Sequence, residues 1–465
     1  MSNRGNFSGR VGFILAAAGS AVGLGNIWRF PYLAGQNGGA AFLFFYLICV
    51  FLLCYPVLVG EIAIGRASGT NAFGAYLKLG GKRWSILGMF GIFVAIFILS
   101  FYNVVAGWAF GYFLNISFGD LLLEKDFGSF FGYFVNDIIN LSSAKGLANS
   151  NLIFSLLFMV ATAFIVSRGI QKGIESANKI MMPSLYIILI LLIGYSLTLP
   201  NAMAGVRFYL LPDFSEMNAQ TVFDGLRQAF FSLSLGLGGL ITYGSYLKKN
   251  ENIPAAAGVI ALADTSVAFL AGLMVFPLVF SQNLSPAQGP PLVFMVLPSV
   301  FQEMGPILGR LVGGSFFLLL CFAALTSTIS LLEVPVAYLV DQKRFSRKKA
   351  VWFLAIAVFI LGLPSMMSQG MVPALNQISF YQGRDFLTLI ADLSDISLTV
   401  GGCLMCYFIG YRWRIENFNA ELALGNSSFT SSFLKGYLNV TIKYVCPILL
   451  GIMSILIIID KFWGL

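Results

Sequence analysis

The residues of this chain that could do chemistry are polar groups set into apolar stretches. Arg10 to Pro31 reads RVGFILAAAGSAVGLGNIWRFP. It opens as an apolar helix and then breaks. Gly19, Gly23 and Gly25 fall within seven residues, with Ser20 and Asn26 among them and Arg29 and Pro31 closing the run. Inside a helix each glycine costs roughly 1 kcal/mol relative to alanine, and in lipid a released backbone must find partners within the protein. Close helix packing is one reading, since Gly19-x-x-x-Gly23 fits the small-residue interface pattern. A second break, Ser232 to Gly239 (SLSLGLGG), interrupts another apolar segment roughly two hundred residues later. Glycine-broken membrane helices in matching positions of two halves point to the central site of a transporter. A break leaves N–H groups at one half-helix, which attract a carboxylate, and C=O groups at the other, which attract a cation. One break can hold a zwitterion and an ion together.

Further polar groups sit where lipid would penalise them. Glu61, Asp264 and Glu333 lie within or near the ends of apolar spans, and Asp392 and Asp395 in the outer part of another. Such residues face a cavity or one another and mark a transport path. The plainer alternative is a helix-end carboxylate that reaches the interface, which suits Glu333 better than Asp264. Ala323-Ala-Leu-Thr326-Ser327-Thr328 adds a run of hydroxyls. These often bond back to the preceding turn. Beside an unwound helix, hydroxyl and carbonyl oxygens together make a low-charge, hard-oxygen cage that suits Na⁺.

The elements that must position these groups are membrane helices. Of the 465 residues 58% are hydrophobic and 10% charged, and the mean hydropathy is +0.84. No soluble protein of this size hides that much apolar surface. Eleven apolar stretches read as spans: 10–35, 40–66, 85–115, 151–167, 178–200, 219–247, 254–281, 306–341, 348–371, 385–411 and 440–461. The fourth is short for a bilayer. Arg66, Lys78, Lys82, Arg83, Arg168, Lys172, Lys343 and Arg344 cluster in alternate loops, and Lys125, Lys145, Arg207 and Arg384 are spread thinly over the others. The positive-inside rule puts the amino terminus in the cytoplasm, and an odd number of spans leaves the carboxyl terminus outside. Two outer loops are long. Residues 116–150 carry Asp120, Glu124, Asp126 and Asp137, and residues 282–305 are rich in Pro and Gly. Loops of this length serve as lids or vestibule walls, or stay disordered. The chain reads as one membrane domain over 1–465, with five spans on either side of the 200–218 loop and one appended.

The net charge of +8 is a topology signal, and its spread over short loops argues against nucleic acid. The absence of histidine removes His-based catalysis, His metal ligands and the usual pH switch. Cys403-x-x-Cys406 mimics a redox motif, but inside an apolar helix it reads as two small hydrophobes. No nucleophile elbow or metal-ligand cluster supports an enzyme. The amino terminus lacks a convincing cleavage site and is expected to be retained.

At GSAVGLGNIWRFPYLAGQNGGAAF (19–42), EIAIGR (61–66), Tyr102 with Trp108, SLSLGLGGLITYGSY (232–246) and ALTSTISLLEVPVAYLVD (324–341) the chain resembles the neurotransmitter:sodium symporter family. The resemblance implies an all-α fold of two inverted five-helix repeats (10–200 and 219–411) with discontinuous helices 1 and 6, plus the additional helix 440–461. It implies an amino-acid substrate, two Na⁺ ions near the midplane and alternating access in the cell inner (plasma) membrane. The first Na⁺ would take Ala21 carbonyl, Asn26, Ser232 and Asp264, with Ala263 the alternative if the register slips by one. The second would take the carbonyls of Gly19, Val22 and Ala323 and the hydroxyls of Thr326 and Ser327. The substrate backbone would rest on Ser20, Ala21, Gly23, Gly25, Tyr102, Phe231, Ser232 and Ser327, and its side chain on Ile98, Ser234, Leu237 and Leu331. Tyr102, Phe231 and Arg29 with Asp392 or Asp395 would form the outer gate. Arg4, Ser245, Tyr246 and Asp341 would form the inner one.

The departures from the family pattern carry information. Monoamine carriers place an aspartate where this chain has Gly23, which favours an α-amino acid with a neutral, hydrophobic or aromatic side chain. The chloride ligands of chloride-dependent relatives fall on Tyr46, Gln228, Ser232 and Ala268. The last offers no hydroxyl, while Asp264 lies one turn earlier on the same face. Chloride is therefore not expected to be required, with Asp264 supplying a fixed charge or carrying a counter-transported proton. The competing readings are a proton-coupled carrier of the same fold and an amino-acid-sensing transceptor with little flux. A homodimer is the one protein partner the reading admits.

Overall fold

The computed structural model describes residues 6–136, 150–282, 284–286 and 292–463. Arg4, Asp137 and Lys145 lie outside them. Among the described residues the regular elements are helices, apart from one bridge between Ile378 and Arg384. In chain order the helices are α1 (Arg10–Ala21), α2 (Gly25–Gln36), α3 (Ala40–Ser68), α4 (Ala72–Gly80), α5 (Ser85–Ser117) and α6 (Phe127–Asn136). Then follow α7 (Asn151–Ser167), α8 (Ile170–Ser196), α9 (Ala202–Leu210), α10 (Ala219–Ser232), α11 (Gly239–Gly244) and α12 (Ile253–Ser281). The last five are α13 (Val293–Glu303), α14 (Pro306–Gln342), α15 (Arg347–Met367), α16 (Phe386–Ala423) and α17 (Phe433–Phe462).

Eight of these are long and apolar enough to cross a membrane, and the α1–α2 pair, bent by 49°, makes a ninth. The shorter α7 and the broken pair α10–α11 take up the two remaining stretches expected to cross. Several features escape the hydropathy reading, among them α4, α6, α9, α13, the continuation of α16 from 411 to Ala423 and the start of α17 before 440. These elements are short or polar-faced and lack the apolar length that marks a span. The turn into α4 carries its own signal in Asn71, whose side chain accepts from Gly74 N at 3.1 Å.

The two breaks fall where the glycines predict. α1 stops at Ala21, and Val22 is extended at φ −66°, ψ 113°. Between α10 and α11, Ser234, Gly236 and Gly238 have φ of +51°, +90° and +78°. Gly236 also meets α16 so closely that a Cβ would lie 2.1 Å from Leu398 O. Glu61, fully buried on α3, accepts from Gly236 N at 2.6 Å and Leu240 N at 3.1 Å. Its carboxylate thus supplies acceptors that the interrupted helix no longer provides. Both breaks lie against α5 and α14, the long helices that bring Tyr102 and Thr326–Ser327 to the middle of the bundle.

Candidate functional site

The break after α1 turns the Val22 carbonyl toward α14. Thr326 Oγ1 and Ser327 Oγ each donate to Val22 O at 3.2 Å, and Thr326 also donates to Ala323 O at 3.0 Å. A Cβ at Gly19 would lie 3.3 Å from Thr326 Cβ. Four of the five positions expected in the second ion site therefore meet in one buried cluster of carbonyl and hydroxyl oxygens, and Gly19 lies beside it against Thr326.

A different cluster forms on the other side of the break. Asn26 Nδ2 donates to Ser232 Oγ at 2.9 Å, Asp264 O at 3.0 Å and Asp264 Oδ1 at 2.8 Å. Ser232 Oγ lies 3.0 and 2.9 Å from the two Asp264 carboxylate oxygens, and Tyr46 Oη donates to Oδ2 at 3.4 Å. Three oxygens thus converge on one nitrogen, a donor set that also suits a small cation. Asn26 Oδ1 accepts from Gly23 N at 2.9 Å, and Gln228 Nε2 donates to Gly25 O at 2.7 Å. The register of α12 is clear: Asp264 is fully buried and faces Asn26, whereas Ala263 O accepts from Tyr186 Oη at 2.9 Å.

Between the clusters lies a small cavity of about 20 Å³, lined by Ala21, Gly23, Gly25, Ile98, Tyr102, Phe231, Ser232, Ser234, Ser327, Leu331 and Leu398. Ten of the twelve residues expected around a substrate are on this wall. Ser20 and Leu237 are buried but not on it. The Leu237 side chain instead packs beside Gly239, its Cδ1 2.9 Å from where a Cβ would stand. Leu398 was not expected, because nothing distinguishes it from other leucines in an apolar helix. Gly23 is tightly enclosed: a Cβ would lie 2.5 Å from Ser327 Oγ and 2.6 Å from Tyr102 Oη. Tyr102 Oη accepts from Leu24 N at 2.7 Å, tying α5 to the break.

Phe231 separates this cavity from a larger one of about 490 Å³. The Arg29 guanidinium lies 4.3 Å from the Phe231 ring centroid and forms two bonds to Asp395, at 3.0 and 2.5 Å. Asp395, not Asp392, is therefore the partner of Arg29. Asp392, three residues earlier on α16, is held by Tyr381 Oη, with Arg384 at 3.5 Å and Lys461 at 3.9 Å. Burial, and then the hydrogen bond and charge of Asp392, push the Tyr381 phenol above its ordinary pKa, so it stays a donor. Arg227 joins the same wall, 3.1 Å from Asp224 and 3.8 Å from Asp395. Two charged residues three apart in an apolar stretch were the signal for this pair. Phe131 of α6 and Phe294 of α13 also line the larger cavity, so the described parts of both long loops form walls.

At the opposite end Tyr246 Oη donates to Glu333 Oε1 at 2.9 Å, and Arg347 binds both Glu333 oxygens at 3.1 and 2.5 Å. Glu333 is fully buried and ion-paired, so it does not reach an interface. Asp341 accepts from Asn71 N at 3.2 Å and Asn71 Nδ2 at 2.8 Å. Ser245 Oγ donates to Thr242 O at 2.6 Å. Arg4, expected beside them, lies outside the described residues.

The profile of the sodium:neurotransmitter symporter family matches residues 4–126 and 122–462. An uncharacterized sodium-dependent transporter of Bacillus subtilis, YhdH, is 36% identical over 461 residues, covering 96% of this chain and 98% of its own length. The sodium-dependent serotonin transporter of Drosophila melanogaster is 29% identical over 416 residues, 79% of this chain and 65% of the relative. Among solved structures, MhsT in complex with L-phenylalanine aligns with a TM-score of 0.87 at 41% identity, covering 97% of this chain and 99% of that one. Likeness of this extent makes the chain a member of the sodium:neurotransmitter symporter family, a sodium-dependent membrane transporter of a small molecule and not an enzyme.

Proposed function

We propose that the protein is a Na⁺-coupled importer of neutral, hydrophobic or aromatic L-amino acids that works by alternating access with two Na⁺ ions. The observation that carries this reading is the cavity at the helix breaks. It has the cut ends of α1 and α2 on one side and the apolar Ile98, Leu331 and Leu398 on the other, and among the described residues no carboxylate is on its lining. An amine without its own carboxylate would leave an ammonium unpaired there, which is costly when buried. A zwitterion carries both charges to a site built from half-helix ends. MhsT is described in complex with L-phenylalanine, which fits an apolar wall.

The first Na⁺ takes Ala21 carbonyl, Asn26, Ser232, Asp264 and the substrate carboxylate; the Asn26 amide turns to present its oxygen. The second takes Gly19, Val22, Ala323, Thr326 and Ser327. Chloride is not required, because the Asp264 carboxylate already lies between Ser232 and Tyr46 and the Gln228 amide is engaged with Gly25. Phe231, Tyr102 and the Arg29–Asp395 pair close the outer side. Tyr246, Ser245 and Asp341 close the cytoplasmic one. The amino terminus is cytoplasmic, and residues 10–200 and 219–411 are the two repeats, with 440–461 appended.

The test is a thermal-shift titration with L-tryptophan and tryptamine, each with and without Na⁺. L-Tryptophan stabilises the protein in Na⁺ only. Tryptamine binds at least about tenfold more weakly, since a charge-assisted contact contributes roughly 1.5–3 kcal/mol. Equal affinity for the two compounds overturns the amino-acid reading.

A further inference from the structure

One buried oxygen has no part in the arrangement described above. Asn178 lies on α8 with its side chain fully buried. Its Nδ2 donates to Ile174 O at 2.8 Å, which fixes the amide orientation and makes the opposite end the oxygen. Asn178 Oδ1 has no hydrogen-bond partner among the described residues. A buried acceptor without a donor is destabilising unless something else satisfies it.

Its direction identifies what that could be. A Cβ built on Gly19 would lie 2.0 Å from Asn178 Oδ1 and 3.3 Å from Thr326 Cβ. Thr326 belongs to the carbonyl and hydroxyl cluster between α1 and α14, and Gly19 packs against it. Oδ1 therefore points from α8 into the edge of that cluster, through an opening that any side chain at position 19 would close. The neighbouring polar group on the same face of α8 is already engaged. Glu175, one turn earlier, packs against Gly12 and binds Ser8 N at 2.9 Å and Lys179 at 2.7 Å. An acceptor that lacks a donor, directed across Gly19 toward the Thr326 side of an oxygen cluster, is what a small hard cation needs and a hydrogen-bond network does not.

We propose that Asn178 Oδ1 is an additional oxygen of the second cation site, contributed by α8. This rests on the sodium reading of the Val22–Thr326–Ser327 cluster. Under it, the second Na⁺ touches three helices, α1, α14 and α8, and its binding depends on a residue outside the two that carry the other ligands.

The experiment is a Na⁺ titration of thermal stability without amino acid, at ionic strength held constant with K⁺, on the full-length protein. The variants are Asn178→Ala, Asn178→Asp and Thr326→Ala. Asn178→Ala raises the Na⁺ midpoint roughly tenfold, the scale of one charge-assisted contact, while melting close to wild type at saturating Na⁺. Asn178→Asp lowers the midpoint, because a carboxylate replaces the amide oxygen at the cation. If Thr326→Ala shifts the midpoint and Asn178→Ala leaves it unchanged, the proposal is overturned and the sodium reading stands. If neither variant moves it, the sodium reading of the cluster fails and this proposal with it. Should Asn178→Ala not fold, Asn178→Asp decides alone, and an unchanged or higher midpoint counts against the proposal.

Discussion

The two oxygen clusters flank the same break but differ in charge. The one built on Asn26, Ser232 and Tyr46 contains the Asp264 carboxylate. The one built on Val22, Ala323, Thr326 and Ser327 contains only carbonyls and hydroxyls. A buried charge must be paired, and an unpaired one costs far more than a poorly oriented dipole. Under the sodium reading the first cation has a permanent countercharge and the second is held by dipoles alone. The first cluster should therefore hold its ion more tightly, and the second should be the weaker and more readily emptied one.

The largest effect expected is from Asp264→Ala. It removes the carboxylate and leaves Asn26, Ser232 and Tyr46 without their shared acceptor. Deleting one partner of a buried charge pair costs about 3–5 kcal/mol, which is more than about hundredfold in cation affinity. Amino-acid uptake into proteoliposomes should then be nearly absent at ordinary Na⁺. Normal uptake by this variant would show that the fixed charge is not part of the cage.

A smaller loss is expected from Thr326→Ala combined with Ser327→Ala. The pair removes two neutral hydroxyls at roughly 0.5–1.5 kcal/mol each, or about five- to hundredfold together. Most Na⁺-dependent uptake at ordinary Na⁺ should vanish and partly return as Na⁺ is raised. If this variant is hit harder than Asp264→Ala, the ranking of the two cages is reversed. Uptake by the wild type that persists in K⁺ or choline would remove the basis for both cages.

The sequence reading reached residues whose type carries the chemistry. Three glycines, an asparagine and an arginine packed into one apolar stretch are legible because lipid tolerates none of them without a reason. Asp264 was legible to within one residue. The structure resolves it against Ala263 because only one of two neighbours on α12 can face Asn26. The choice between Asp392 and Asp395 was beyond the sequence. Both lie on one side of α16, and the outcome depends on Tyr381 and Lys461, which come from a loop and from α17 to occupy the first. Leu398 and Asn178 gave too little signal for a different reason. One is an ordinary apolar residue, and the other stands at the expected start of a span, where a polar side chain is unremarkable. Asp224 and Arg227 do carry a signal, a charged pair three residues apart inside an apolar stretch.

The smallest effect expected concerns chloride, and it tests what the Asp264 charge is for. Under the proposed function, two Na⁺ ions and a zwitterion would leave the centre of the bundle positively charged unless an anion is present. Asp264 provides a negative group bonded to Ser232 and near Tyr46, two of the positions that hold chloride in dependent relatives. Ala268, one turn further on α12, is fully buried and has no hydroxyl to offer. The fixed carboxylate and a chloride ion would occupy nearly the same place, so the protein should have one and not both. Uptake by the wild type should be equal in sodium gluconate and sodium chloride. Asp264→Asn carrying Ala268→Ser removes the charge and restores a hydroxyl, so its residual uptake should rise when gluconate is replaced by chloride. The expected gain is modest, because Gln228 must also leave Gly25 O to serve the anion. A wild type that stops without chloride would mean that the Asp264 carboxylate does not compensate the second positive charge, and the contrast between a charged and a neutral cage would have to be withdrawn.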